Sequence, residues 1–579
     1  MSISKRMVPG QGPPSRSRTL VLYAVLGLLS IAVIITRLHD LGLPLWLDES
    51  WVANSVLEPT LRGMMYYPTR LQTVPPLFLL SSRAAVRMLG VSNESFHLVP
   101  AVFGLLSFPL MILAARRLLR PSFALVAIGL FVFSPAIVHY THEYKQFSSD
   151  VFVSLTLLNV GLLYLRRPSR RLLAVWTALY VVLLFLSYQA VLFLPGFCLV
   201  VLLGGASGGG RVKPWRERWL EAGTVAFAGS VATLVAYFVF ILPNTLPRLY
   251  ISFSSPFQGH GVAQFLAFSF RKVLFLGSLL LPEEGIGRAD LAANIVILGA
   301  LLLAAVSLPR RGHRNVLILL GFPILCAYGL DAIGRYPGIG IPRLMLFAVP
   351  IVILLFVYGG ETMAHGLAAL LARDDATGTL RVVDAVGAVG FVLMVGVIGV
   401  YVAKRPVPLL REEIIQDTQG SVRYVSEHGG PDDVVYVHAG MVEQFRLYSR
   451  LTPMRSRRVI LGRVGWGCCP RVPWLEGTQD EITMPEEVAR LEIPRITKSI
   501  WLIYEEGPGN WGFFVRQFGR RDPDVFAGAL SSAGCRRAVT KPFHWIRVDR
   551  FDCDRPGEGP GRSSESASGG ADRRRTTLP

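Results

Sequence analysis

The sequence predicts a mainly α protein: a polytopic bundle of membrane helices followed by a small α/β domain. Three observations predict it. Hydrophobic residues make up 51% of the 579-residue chain and charged residues only 17%, against about a quarter in soluble domains. Apolar runs approaching the roughly 20 residues that cross a bilayer as a helix recur between residues 19 and 402. The net charge of +19 sits in short Arg/Lys clusters between those runs, as in cytoplasmic loops that set topology. That placement argues against a nucleic-acid partner, which such basicity would otherwise suggest.

The elements follow in order. Residues 1–18 are polar and carry Lys5, Arg6, Arg16 and Arg18, a cytoplasmic N-terminus. The apolar run 19–35 lacks a small-residue cleavage site after it and reads as a retained first span. Residues 39–94 form a long outer loop. It holds the Asp48-Glu49 pair, Trp46, Trp51, Tyr66 and Tyr67 as interfacial anchors, the run Val74-Pro75-Pro76-Leu77, and a short helix over 81–89. Further spans are expected at 96–115, 123–140, 151–165, 172–187, 190–203, 222–242, 291–308, 316–330, 344–360 and 382–402, about eleven in all.

With the N-terminus inside, the cytoplasmic loops carry Arg116/Arg117/Arg120, Arg166/Arg167/Arg170/Arg171, Arg211/Lys213/Arg216/Arg218 and Arg310/Arg311/Arg314. All are short and basic, which supports a multi-pass plasma-membrane protein in this orientation. Asp48, segment 141–150, loops 243–290 and 331–343, and everything after about residue 404 then face outward. Residues 19–403 form the membrane module.

Residues 404–554 read as an outer α/β domain. Strands are expected at 434–438, 459–461, 500–504 and 544–548, with helices at 411–427, 442–450 and 522–533 and a turn at Gly429-Gly430-Pro431-Asp432. Cys468, Cys469, Cys535 and Cys553 allow one or two disulfides in an oxidising compartment, connectivity open. Cys198 and Cys326 fall in apolar runs and read as packing residues. Residues 555–579 are rich in Gly, Ser and Arg and are expected to be disordered.

Three constellations carry chemistry. Asp48-Glu49 lies where the bilayer ends; one carboxylate could accept a proton from a nucleophile, and the pair also reads as solvated loop residues or a helix cap. In His139-Tyr140-Thr141-His142-Glu143-Tyr144-Lys145-Gln146-Phe147-Ser148-Ser149-Asp150, Lys145 is a compact positive charge suited to phosphate. Interfacial anchoring and helix capping by Asp150 explain the same residues. Arg343 opens a late span after Asp331 and Arg335; its planar fork suits a lipid phosphate, or it reaches to the headgroups. His97 reads mainly as structural, Glu283-Glu284 as a solvated turn, and His260 with Phe253, Phe257, Phe265, Phe268 and Phe270 as a lipid groove or an interfacial helix. No Walker loop, zinc pattern or dinucleotide fingerprint is present.

The order of these features resembles a known family. Leu47-Asp48-Glu49 is followed by Val74-Pro75-Pro76-Leu77-Phe78-Leu79-Leu80, by Leu98-Val99-Pro100-Ala101-Val102-Phe103-Gly104, by Ala114-Ala115-Arg116-Arg117-Leu118 and by Glu143 to Asp150. This is similar to the GT-C glycosyltransferases, in the group of dolichyl-phosphate-mannose protein mannosyltransferases and aminoarabinose transferases. It covers about residues 20–165 well and later spans by general pattern.

The resemblance implies a GT-C-like bundle that transfers a sugar from a polyprenyl-phosphate donor to a glycan, lipid or protein acceptor on the outer face. It implies Asp48 as the catalytic carboxylate, with Glu49, Asp150 and Glu143 assisting, and Lys145, Arg343, Tyr144 and His142 as the substrate-binding set. Relatives often carry Lys or His at Val74 and Arg at His97, so donor contacts from those two positions do not carry over. No cofactor is implied; a divalent metal at Asp48, Glu49 and Asp150 stays open. Rival readings are a lipid or glycan transporter or flippase, which would need polar residues near mid-bilayer and often interrupted helices in matched halves, and a non-catalytic scaffold.

Overall fold

The computed structural model describes residues 16–67, 73–204, 214–244, 261–280, 288–336, 342–371, 385–386, 389–390, 415–462, 488–489, 491–492, 498–506 and 522–553. Two compact units are present: residues 1–419 with 443–451 and 471–478, and residues 420–442 with 452–470 and 479–579.

The first unit is helical. In chain order its helices are α1 (Arg16–Leu38), α2 (Leu47–Val56), α3 (Leu61–Met65), α4 (Pro76–Leu89), α5 (Asn93–Leu118), α6 (Pro121–Val132), α7 (Pro135–His142), α8 (Phe147–Arg166), α9 (Arg170–Leu184), α10 (Phe193–Leu202), α11 (Trp215–Val235), α12 (Val262–Ser278), α13 (Arg288–Arg310), α14 (Arg314–Ala332) and α15 (Val349–Leu371). Among the described residues, six helical stretches are long and apolar enough to cross a membrane, or seven if the bent pair α6–α7 is one span.

The expected count of about eleven is therefore not reproduced, for identifiable reasons. The run 123–140 is broken at Phe133-Ser134: Pro135 opens a new helix, the Ser134 hydroxyl accepts from the Ile137 N–H at 3.4 Å, and the axes bend by 41°. The run 172–187 gives a 15-residue helix, and the runs at 190–203 and 291–308 give shorter apolar helices. Most of the run 382–402 lies outside the described residues. The stretch expected as a long loop, residues 39–94, holds the helices α2, α3 and α4.

Two features of the bundle bear on the site. α5 begins at a cap in which the Ser92 hydroxyl accepts from the Ser95 N–H at 3.2 Å. Where α5 crosses α7, a Cβ on Gly104 would lie 2.7 Å from Thr141 Cγ2, so only glycine permits this approach. That seats the end of α7, and with it Glu143, against α5. Before α15, Tyr336 ties the chain down: its hydroxyl bonds to Gln189 Oε1 at 2.9 Å and to the Leu344 carbonyl at 2.6 Å. Arg343 stands in the 3₁₀ turn Pro342–Ala348 that this fixes.

The second unit holds a five-stranded sheet of β1 (Val434–Val437), β2 (Arg458–Leu461), β3 (Ser499–Glu505), β4 (Cys535–Phe543) and β5 (Ile546–Cys553), in the order β2-β1-β3-β5-β4. β1 runs parallel to β2 and β3; β5 runs antiparallel to β3 and β4. Tyr436, Ile500, Leu502, Phe526, Leu530 and Phe551 form its core, with Phe526 and Leu530 from α18 (Asp522–Ser532) and most of α16 (Thr418–His428) belonging to the same unit.

The expected turn before β1 is present, closed by the Gly430 N–H on Asp433 Oδ2 at 2.8 Å. β4 is absent from the sequence expectations: it reads CRRAVTKPF and is largely exposed, an edge strand without the apolar alternation that marks strands. The strand expected at 544–548 is the start of β5, after a turn at His544-Trp545. A disulfide joins Cys535 to Cys553, which are register partners. Cys198 and Cys326 are free thiols. Cys468, Cys469, Phe253, Phe257, His260, Glu283, Glu284 and the 555–579 tail lie outside the described residues.

Candidate active site

Asp48 and Glu49 occupy the first turn of α2, where two carboxylates are favoured by the helix dipole. Both are buried, and they have different partners. Glu49 is fully committed. Its Oε2 accepts from the Trp46 N–H at 3.0 Å, and its Oε1 accepts from the Tyr144 N–H and lies 3.3 Å from His97 Nε2. His97 Nδ1 is 2.9 Å from the Leu41 carbonyl. Both ring nitrogens thus face acceptors, which is complete only for the imidazolium. Glu49 therefore ties α2 to α5 and to the loop after α7.

Asp48 points the other way. Its Oδ2 accepts from Arg343 Nη1 at 3.1 Å, across 295 positions of sequence. The Arg343 side chain is 29% exposed while Lys145 is 1% exposed, so Arg343 is the cation a ligand reaches first.

Glu143 and Lys145 complete the cluster. They follow α7 in a tight turn closed by the Lys145 N–H on the Glu143 carbonyl at 2.7 Å. Burial raises the Glu143 carboxyl to about 7, opposed by Arg343 and reinforced by the like charge of Glu49. Burial lowers the Lys145 ammonium to about 8, opposed chiefly by Asp48 and Glu143. The charges acting on Lys145 are those of Asp48, Glu143, Arg343 and Glu49, so these five groups form one electrostatic unit. Within it, Glu143 Oε1 has no hydrogen-bond partner among the described residues.

The remaining candidates are placed differently. Asp150, in the first turn of α8, accepts from the Ser187 hydroxyl at 2.6 Å. The Tyr144 ring is fully buried against Phe96 and Phe78, with centroids 5.0 and 5.9 Å away, and burial raises its hydroxyl pKa. His142 packs edge-on against His39 at 4.3 Å. Among the described residues no group of three or more His, Cys, Asp or Glu is placed to hold a metal ion; the cations facing Asp48 and Glu143 are Arg343 and Lys145.

No family model matches the chain, and no curated protein sequence does. Solved structures do. ArnT from Cupriavidus metallidurans, bound to undecaprenyl phosphate, is similar over 93% of this chain and 98% of its own, at 14% identity and a TM-score of 0.49. The Archaeoglobus fulgidus oligosaccharyltransferase in its apo form is similar over 85% of this chain and 70% of its own, at 12% identity and a TM-score of 0.50. The chain has a GT-C fold. At such identities the likeness is one of fold. In the GT-C bundle seen here, sequence reading reached Asp48, Glu49, Glu143, Lys145 and Arg343 as site candidates, and the structure brings those five together. It missed how His97 is used. A histidine opening a span carries no signal of its own, and only the fold sets it against Glu49.

Proposed function

We propose that this protein is a membrane glycosyltransferase that moves a sugar from a polyprenyl phosphate to an acceptor hydroxyl on the outer face of the membrane. The observation that carries this reading is the part-buried Asp48–Arg343 pair, with Glu143 and Lys145 around it, in a GT-C bundle. A lipid-linked donor needs such a site near the bilayer edge, because its tail stays in hydrocarbon.

In the reaction, the acceptor oxygen bonds to the anomeric carbon as the bond from that carbon to the phosphate oxygen breaks. The electron pair leaves on the phosphate, beside Arg343 and Lys145, which offset the growing negative charge. The acceptor proton passes to Asp48. Glu143, a second carboxyl without a backbone-bonding task, lies within the field of both cations and orients the acceptor. Glu49 fixes the start of α2, Asp150 anchors α8 to Ser187, and Tyr144 and His142 pack the walls.

The test is mass spectrometry of envelope glycans and glycoproteins from cells with and without the protein. Loss of one sugar, with accumulation of its lipid-linked form, supports the reading. Identical glycan profiles overturn it.

A further inference from the structure

The helix that carries Asp48 caps itself only in part, through Glu49 Oε2, which accepts from the Trp46 N–H at 3.0 Å. Its N-cap position is Trp46, whose side chain supplies no capping bond. Two further backbone N–H groups, one at the first helical residue and one just before the N-cap, find partners roughly 370 to 400 positions away, where ordinary helices use a local Ser, Thr, Asn or Asp. The Leu45 N–H donates to the Tyr448 hydroxyl at 2.6 Å, and the Leu47 N–H donates to Gln416 Oε1 at 3.1 Å.

These acceptors are themselves held. Gln444 Nε2 donates to the same Gln416 oxygen at 2.7 Å, and the Tyr448 hydroxyl donates onward to Asn93 Oδ1 at 3.2 Å. At the other end of the Asp48 helix, Asn54 Nδ2 donates to the Glu443 carbonyl at 2.8 Å and to Glu443 Oε2 at 3.0 Å; Tyr67 donates to that oxygen at 3.0 Å. Tyr448, Gln444 and Glu443 all lie on α17 (Val442–Leu451), whose residues 443–451 belong to the first unit. Tyr448, Gln444, Gln416 and Asn54 are fully buried or nearly so, where an unmade bond is costly.

We infer that α17 is a positioning clamp for the catalytic helix: Tyr448 and Glu443 grip α2 at its two ends and thereby set the aim of Asp48 at Arg343. This rests on the proposed transferase reading for what Asp48 does, and on the hydrogen bonds alone for the clamp. It gives a segment far from the membrane core in sequence a defined part in the reaction. A clamp, unlike a merely stabilising contact, changes turnover without changing how tightly the donor phosphate is held, because Arg343 and Lys145 stay in place.

The test uses the full-length protein in lipid nanodiscs, as Tyr448→Phe and Glu443→Gln variants. Tyr448→Phe removes one oxygen and keeps the ring packing. Hydrogen exchange over residues 45–56 is expected to quicken about two- to tenfold, the worth of one net hydrogen bond, while α5 and α8 keep their protection. Undecaprenyl phosphate is the binding probe: its Kd is expected to stay within threefold of wild type, while sugar transfer in cells falls at least tenfold.

Unchanged exchange over 45–56 overturns the clamp. Quickened exchange with full transfer, in a protein whose Asp48→Asn variant is inactive, also overturns it and leaves α17 merely structural. Full transfer by Asp48→Asn overturns the transferase role of Asp48 and with it the catalytic half of the inference, a failure separate from that of the hydrogen bonds.

Discussion

Replacing Arg343 by Ala probes the site where its charges meet. Arg343 Nη1 stands 3.1 Å from Asp48 Oδ2. At an effective dielectric constant near 20, two unit charges at that separation interact by about 5 kcal/mol. With 29% of the Arg343 side chain exposed, solvent screening reduces this toward about 2–3 kcal/mol. If the pair serves the leaving phosphate to that extent, transfer by Arg343→Ala falls about 30- to 150-fold. Arg343→Lys keeps the charge without the bidentate fork and falls in between. Arg343 also opposes the raised pKa of Glu143, so its removal shifts the acid limb of the pH–rate profile upward. The assay is sugar transfer in membranes holding equal amounts of each variant, measured from pH 5.5 to 9. Transfer within twofold of wild type, with an unmoved acid limb, would refute the reasoning.

Three further outcomes are expected. Wild-type transfer should peak between the two titrations: it declines below about 7 as Glu143 takes up a proton and above about 8 as Lys145 loses one. Glu143→Gln flattens the acid limb and Lys145→Arg moves the alkaline limb upward; pH–rate profiles of both variants check this. His97→Ala deprives Glu49 of its side-chain partner and costs about 1–3 kcal/mol, read as a lower thermal midpoint in detergent; an unchanged midpoint counts against the bond. Cys535→Ser opens the β4–β5 disulfide and lowers stability by about 2–4 kcal/mol, seen as sheet unfolding at lower denaturant under non-reducing conditions.

Much of the fold was legible because apolar runs and turn residues act locally. The helices α1, α5, α8, α11, α14 and α15 follow from runs whose side chains need a nonpolar setting, β1 from a short β-branched run after a turn, and β3 from a short apolar run. Legibility failed where local signals compete or vanish. Pro135 after Ser134 breaks a run whose hydropathy alone reads as continuous. β4 escaped notice because it is mostly exposed, with Arg536, Arg537 and Lys541 interrupting any apolar alternation.

In the site, Asp48 and Glu49 were visible as a pair but not as having separate tasks. Which carboxylate binds the backbone and which binds Arg343 depends on where the loop after α7 arrives. Asp150 matched a motif position, yet its contact is Ser187, which no spacing rule could have supplied. Tyr448 and Gln416 were invisible as partners of α2, since hydrogen bonds closed over nearly 400 positions leave no periodic trace in the sequence.

Asp48→Asn is the most direct test of the central claim, because it removes the charge of one carboxylate and keeps its shape. The measurement is mass spectrometry of envelope glycans and lipid-linked sugars from cells making the variant at wild-type abundance. The expected result is that one sugar disappears from the envelope while its polyprenyl-phosphate form accumulates. A wild-type glycan profile from fully inserted Asp48→Asn protein would contradict it.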